Sequence, residues 1–237
     1  MLNTLLIQLY IISCVSGLTV SLILFRHPKA PNQANKILSA SILFLTLSQA
    51  TGLLIQSKMI LHVPHVYRLD NLFALLFMPL SWMYIRLMLT NRRIKWRDTI
   101  HLLPALIYVI DYLPFFFSSA ATKLTVIQHQ LNDLNFVLQY SESRFFPAGF
   151  HLWFRNFVIL FYWLLQVRLM VRNLQTPPKA FITGHRSWMT WMIIYISFQI
   201  FICAPYFAAV LHYWHAMMMG VAIVLIVSGF SLIYEPV

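Results

Sequence analysis

Two ionisable residues stand inside apolar stretches of the sequence, where a charge is costly unless it is paired or functional. Asp111 lies within LLPALIYVIDYLPFFF and Arg155 within FHLWFRNFVILFYWLL. On helices that rise about 1.5 Å per residue, the two side chains come to matching depths, within about one turn. The pattern favours an ion pair that sets the register of two helices, with a contact from Arg155 to an anionic ligand as the alternative. Together with Trp191 and Tyr206, these two are the candidate ligand-binding residues.

Histidines form two His-x-x-His patterns, HVPH at His62 and His65 and HYWH at His212 and His215. Neutral imidazoles ligate Zn or Cu, so each pair could contribute to a metal site. A proline interrupts the first pair, however, and neither pair has a cysteine or a clear carboxylate to complete its ligand set. We therefore favour these histidines as amphipathic anchors at the membrane surface, with metal binding and pH sensing as alternatives.

No other chemical motif stands out. The sequence contains no Walker loop, no GxSxG and no HExxH, so we predict no catalytic residue, no enzyme activity and no cofactor. The seventh apolar stretch has no lysine, which excludes a retinal Schiff base of the rhodopsin kind.

Composition indicates the setting of these residues. Of 237 residues, 60% are apolar and 10% are charged, and the mean hydropathy is +0.72. A soluble domain has about a quarter of its residues charged, so this chain lacks the polar surface to cover itself. The two cysteines, Cys14 and Cys203, lie in apolar runs, which does not fit a disulfide-stapled secreted domain. We predict an all-α, multi-pass membrane protein.

Seven apolar stretches are long enough to cross the hydrocarbon core, which takes about 20 residues. Pro104 and Pro114 bracket the middle of the fourth stretch and should kink it. The first stretch has no following cleavage site of small residues and is read as a retained signal anchor. The predicted spans run over residues 5–25, 37–56, 72–89, 100–117, 150–171, 188–211 and 216–234.

The basic residues give the predicted orientation. Twelve of the seventeen lysines and arginines lie in or beside the first, third and fifth connections. By the positive-inside rule these connections are cytoplasmic, the amino terminus is outside and the carboxyl terminus is cytoplasmic. The net charge of +11 is therefore attributed to membrane topology rather than to nucleic-acid binding.

One connection, 118–149, is long and lies on the predicted outer side. It contains an amphipathic stripe too polar to span, which predicts a helix lying on the outer membrane face. Such a helix could be a lid over a ligand site or a packed cap without a ligand, and both stay open. The stripe consists of Leu124, Ile127, Leu131, Leu134 and Leu138.

Several short motifs resemble the amino-terminal membrane region of the multi-span AraC-type transcriptional regulators of Bacteroidetes-like bacteria. The similarity covers about residues 26–173 and departs from the family at the carboxyl end, since no helix-turn-helix domain follows within this sequence. DNA binding therefore transfers to no residue here. The motifs are Asn32 and Asn35 before the second span, Tyr84 and Arg86 ending the third, His101–Pro104 opening the fourth, and Tyr162–Arg168 in the fifth.

The resemblance implies a sensory module of the bacterial inner membrane. In such a module, an unknown small ligand from the outer side shifts the bundle between two packings and the cytoplasmic end reports the change. Its expected partners are the lipid bilayer and, as the family implies, a second copy of the chain. A small-solute transporter is the alternative, with Pro205 and the kinked fourth span supplying broken helices. A metal-dependent intramembrane hydrolase ranks third.

Overall fold

The computed structural model describes residues 2–26, 32–90, 93–133, 136–175 and 186–207. All regular elements in these ranges are helical. Three short 3-10 helices, Met59–Leu61, Pro64–Val66 and Trp96–Leu102, join the longer ones. The α-helices are α1 (Leu2–Arg26), α2 (Asn32–Gln56), α3 (Leu69–Thr90), α4 (Leu103–Phe116), α5 (Ala120–Asn132), α6 (Phe136–Gln139), α7 (Phe150–Gln175) and α8 (Arg186–Phe207).

Five helical segments are long and apolar enough to cross a membrane, and each overlaps one of the first five predicted spans. The chain therefore has the helices of a multi-pass membrane protein. Helix α8 overlaps the sixth predicted span, and the seventh, 216–234, lies outside the described residues. The five segments are Ile7–Arg26, Gln33–Gln56, Pro64–Thr90, Trp96–Phe116 and Phe150–Gln175.

The two prolines of the fourth span lie at the ends of an α-helix rather than around its middle. Pro104 occupies the first turn of α4, where its missing N–H would have no helical partner in any case. Pro114 lies in the last turn, and α4 ends at Phe116. A 3-10 segment, residues 96–102, precedes α4 and supplies the remaining length of the span. The helix type therefore changes just before Pro104, and the kink itself stays a prediction.

The helices contact one another as α1–α2, α2–α3, α3–α7 and α7–α8, with α4 against α3. The α1–α2 contact is close, because Ser21 Oγ donates to the Ser39 carbonyl at 3.0 Å and Ser39 Oγ donates to the Ser21 carbonyl at 2.8 Å. Helix α3 contacts three other membrane helices and is the centre of the described bundle.

Residues 57–68, 117–133 and 136–149, which we call the cap, lie at one end of the bundle. This cap end is where α2 and α4 finish and where α3 and α7 begin; the other end is called the opposite end. One apolar core cluster includes Tyr108 and Ile127 and continues into the cap, and a second includes Leu89 and Trp191 towards the opposite end.

The predicted amphipathic helix corresponds to α5 and α6. Helix α5 begins at the Ser119 N-cap, whose Oγ accepts the Thr122 N–H, and it ends at Asn132. Its inner face buries Lys123, Val126 and Ile127 against the 3-10 turns of the cap. The predicted stripe is therefore only partly buried: Leu138 is exposed, and Leu134 lies outside the described residues.

Candidate functional site

The buried carboxylate of Asp111 joins α4 to the last segment of the cap. Ser143 Oγ donates to Asp111 Oδ2 at 2.5 Å, and the Phe145 backbone N–H donates to Oδ1 at 2.7 Å. His151 Nε2 contacts the same Oδ2 from the first turn of α7. One carboxylate therefore ties together a membrane helix, a cap loop and a second membrane helix.

Four aromatic rings surround the buried imidazole of His151 at 5.0–5.4 Å between ring centroids, each with its plane steeply inclined to the imidazole. This apolar enclosure excludes water from the Asp111–His151 contact and strengthens it. In the part of the chain that the structure describes, His151 Nδ1 is buried and has no hydrogen-bond partner. The rings belong to Tyr108, Tyr112, Phe146 and Phe150.

Arg155 lies one turn along α7 from His151 and contacts α3 instead of α4. Its Nη1 donates to Asn71 Oδ1 and lies 3.7 Å from Asp70 Oδ2. The predicted Asp111–Arg155 pair is therefore wrong in its partners, since Asp111 contacts His151 and Arg155 contacts Asp70. Matching depth is correct for both residues at the cap end, but depth does not determine which neighbouring helix a side chain faces.

A second buried ion pair joins two segments of the cap, next to the start of α3. Arg68 Nη2 lies 2.5 Å from Glu142 Oε1 and Arg68 Nε lies 3.1 Å from the same oxygen, with side chains 7% and 2% exposed. The Arg68 backbone has a φ of +72°, and its carbonyl accepts the Tyr108 hydroxyl at 2.8 Å. This turn directs the guanidinium into the cap and connects it to α4.

Lys123 of α5 is buried without a carboxylate among the ion pairs of the described residues. Its Nζ donates to the Phe116 carbonyl at 2.7 Å and lies 2.9 Å from His65 Nδ1. Burial lowers the pKa of Lys123 because the charged amine loses its hydration. The amine fastens α5 to the end of α4 and to the turn before α3.

The structure does not bring the remaining candidates to this site. Trp191 stacks on Tyr195 at 5.0 Å and meets the edge of Tyr84 in the core cluster towards the opposite end, away from Asp111. The side chain of Tyr206 lies outside the described residues, as do His212 and His215.

The metal interpretation of the first histidine pair finds no support in the geometry. His62 follows the 3-10 turn 59–61, and His65 Nδ1 is already within hydrogen-bond distance of the Lys123 amine. In the described ranges no three His, Cys, Asp or Glu side chains come close enough to hold a metal ion.

A separate polar cluster crosses the middle of the bundle. Gln199 Nε2 of α8 donates to Ser81 Oγ of α3 at 2.8 Å, and Ser81 Oγ donates to Gln166 Oε1 of α7 at 3.0 Å. All three side chains are buried. Such interhelical hydrogen bonds hold membrane helices in register because hydrocarbon offers no other partners.

Three residues of the cap-end network were missed by sequence reasoning: Arg68, Glu142 and Lys123. Each lies in a connection, where a charged residue is ordinarily solvated and attracts no notice. One signal was present, because Glu142 is one of only six acidic residues in the chain and lies in the long predicted outer connection.

Comparison with protein-family models, with curated proteins and with solved structures finds no match to this chain.

Proposed function

We propose that the protein is a sensory, signal-transducing membrane module without catalytic activity. The observation that carries the proposal is the way the cap is attached to the membrane helices. Buried polar contacts join it to α4 through Asp111 and Lys123. Inside the cap, the buried Arg68–Glu142 pair joins the segment that leads into α3 to the last cap segment. A passive cover would need only apolar packing.

Contacts of this kind suit a two-state element. A buried ion pair is stable only in good geometry, because removing either partner leaves a charge without compensation in an apolar site. A signal that breaks one contact therefore favours a different packing of the cap and of the helices attached to it. Asp111 and Arg155, with their separate partners, lie where such a signal would enter the bundle.

The remaining features of the proposal rest on the sequence. The bias of basic residues places the cap outside and the opposite end in the cytoplasm. From the resemblance to the membrane region of AraC-type regulators, we propose that the protein lies in the bacterial inner membrane and binds a small ligand from the outer side. The same resemblance leads us to propose a homodimer whose output is transcription regulation. This segment itself binds no nucleic acid in the proposal.

The test measures whether the opposite end responds when the cap contacts are cut. Spin labels are placed at Arg93→Cys and Leu174→Cys, two exposed positions at the opposite end, in a Cys14→Ser, Cys203→Ser background. Pulsed electron–electron double resonance in lipid nanodiscs gives the distance between the two spin labels. Ser143→Ala and Glu142→Gln each remove one cap contact, and Thr125→Ala removes an exposed hydroxyl that donates within α5 as the matched control.

The proposal expects a shift of about 2 Å or more, the size of helix movements at switching interfaces, in both contact variants and none in the control. The proposal would be overturned if the distance between the labels stays unchanged in both variants while hydrogen exchange shows that the cap has loosened. The cap would then be a passive cover.

A transporter is the second candidate, supported by the polar cluster of Ser81, Gln166 and Gln199. Gln166 Nε2 and Gln199 Oε1 are buried without partners in the described part, which is compatible with a polar passage. Proteoliposome swelling in glycerol and in urea tests it. Flux above that of empty liposomes that is lost in Ser81→Leu would support transport, and swelling equal to that of empty liposomes would exclude these solutes.

A further inference from the structure

A hydrogen bond between two basic side chains holds α5 in place. Lys123 Nζ lies 2.9 Å from His65 Nδ1, and the second partner of the amine is the Phe116 carbonyl at 2.7 Å. Lys123 is 1% exposed, whereas His65 is exposed. Water therefore exchanges protons with His65 but is excluded from the amine beside it.

In the described part of the chain, no carboxylate forms an ion pair with either side chain. The Phe115 ring lies 5.8 Å from Nζ, and burial is what lowers the pKa of Lys123. The elements packed against α5 are the two 3-10 turns and α6. The titratable or charged groups on and beside these elements are Lys58, His62, His65, Tyr67 and Tyr140, and α5 with its C-cap adds His129 and Asp133. Helix α4, whose Phe116 carbonyl accepts from Lys123, carries Tyr108, Asp111 and Tyr112. The Tyr67 hydroxyl donates to Gln130 and is not directed at the amine.

The number of protons on the two nitrogens makes this contact sensitive to acid. A hydrogen bond between the two nitrogens needs one donor and one acceptor, so an ammonium Lys123 requires His65 Nδ1 to be unprotonated. When the imidazole takes up a proton, both of its nitrogens become donors and it becomes a cation. Two cations then face each other at hydrogen-bond distance, one of them buried, and the bond is lost.

We propose that His65 is a proton-binding site of the cap and that its protonation releases α5 from the bundle. The inference rests on the proposed sensory function and deepens it by naming the proton as a signal that the cap receives. Release removes the Lys123 contact to the last turn of α4 and uncovers Val126 and Ile127, which α5 buries against the turns.

Hydrogen–deuterium exchange in lipid nanodiscs tests the proposal on the full chain. Protection of residues 120–132 is compared at about pH 8 and about pH 5, on either side of the ordinary histidine pKa, after correction for the intrinsic exchange rate. We expect wild-type α5 to lose protection by about tenfold on acidification, a change of about 1.4 kcal/mol. His65→Gln, which does not titrate, should lose less than twofold.

Two further variants make the result specific. His129→Gln removes another histidine, one that belongs to α5 and stacks on Phe136, and should respond to acid like the wild type. Lys123→Met removes the buried charge, so His65 can protonate without repulsion and the acid response should disappear. Should Lys123→Met fail to fold, His65→Gln alone decides the question.

Loss of protection in His65→Gln equal to that of the wild type would overturn the proposal, as would a wild-type α5 indifferent to pH. Failure here is distinguishable from failure of the sensory function, because the spin-label distances at the opposite end are measured separately. Acid release of α5 with unchanged distances at that end would support the proton site and refute the transmission.

Discussion

The two ends of the bundle differ in how deeply they bury their charged pairs. At the cap end, the Arg68–Glu142 side chains are 7% and 2% exposed, and the His151–Asp111 side chains 4% and 1%. At the opposite end, Arg86 lies 2.8 Å from Asp98, but these side chains are 22% and 17% exposed. Two of the three cap-end pairs are thus held out of water, and in the third, Arg155–Asp70, the arginine is buried while Asp70 is 28% exposed. In the opposite-end pair, both partners are partly hydrated.

Burial changes what an ion pair does for the molecule. A partly hydrated pair contributes little, because water replaces either partner when the other is lost. A buried pair adds little net stability over apolar packing, but it fixes one arrangement, since any displacement leaves a bare charge. The difference indicates that the cap end is built for a defined and breakable geometry, and the opposite end for ordinary anchoring at the membrane surface.

The largest effect is expected from Glu142→Gln. It leaves the Arg68 guanidinium buried without its counterion, and arginine cannot relieve this by losing its proton. We expect the free energy of unfolding to fall by about 4 kcal/mol, measured by denaturation in mixed micelles. A loss below about 1 kcal/mol would contradict the assigned importance of this pair.

Asp111→Asn should have a somewhat smaller effect. The asparagine oxygen can still accept hydrogen bonds from Ser143 Oγ and the Phe145 N–H, which limits the penalty compared with the buried guanidinium of Arg68. We expect a loss of about 3 kcal/mol in the same denaturation assay. A loss larger than that of Glu142→Gln would show that the remaining donors do not limit the penalty.

A packing change away from both sets of ion pairs calibrates these values. A Cβ at Gly17 would lie 2.1 Å from Thr46 Oγ1, so Gly17→Ala must either displace this hydroxyl from its bond to the Ile42 carbonyl or move α1 from α2, at a cost of about 1–3 kcal/mol. At Gly52 the nearest atom is 3.9 Å away, and Gly52→Ala should be neutral or stabilising by up to about 1 kcal/mol. Equal effects of the two variants on unfolding would refute the close α1–α2 approach.

The smallest effect is expected from Asp98→Asn at the opposite end. Water and the Trp82 ring, 4.7 Å from the Arg86 guanidinium carbon, remain to accommodate the arginine. We expect a loss below about 1 kcal/mol. A cost as large as that of Asp111→Asn would remove the contrast between the two ends.

Helix positions could be predicted from the sequence because apolar length is a local property. The predicted spans 37–56, 72–89 and 150–171 lie within α2, α3 and α7, whose described bounds reach further into polar residues. The pattern of apolar residues marks the part of a helix that lies in lipid, whereas the helix continues until a breaker or a cap stops it.

The candidate site was predicted less well because its contacts are tertiary. Counting along a helix gives the height of Asp111 and Arg155 but not the direction of either side chain around its helix axis. Arg155 faces the first turn of α3, and Asp111 faces a loop whose path no periodicity predicts. The Lys123–His65 contact likewise joins residues 58 positions apart and depends on how α5 folds back.

The most direct test of the proposed sensory function is whether the cap and the opposite end face opposite sides of the membrane, as a sensor requires. Single cysteines are introduced at Phe117 on the cap and at Arg93 at the opposite end, both exposed, in the Cys14→Ser, Cys203→Ser background. A membrane-impermeant thiol reagent is then applied to bacterial spheroplasts. The sensory function predicts that Phe117→Cys is labelled in intact spheroplasts and Arg93→Cys only after permeabilisation. Labelling of both cysteines from the same side, or of Arg93→Cys alone in intact spheroplasts, would contradict it.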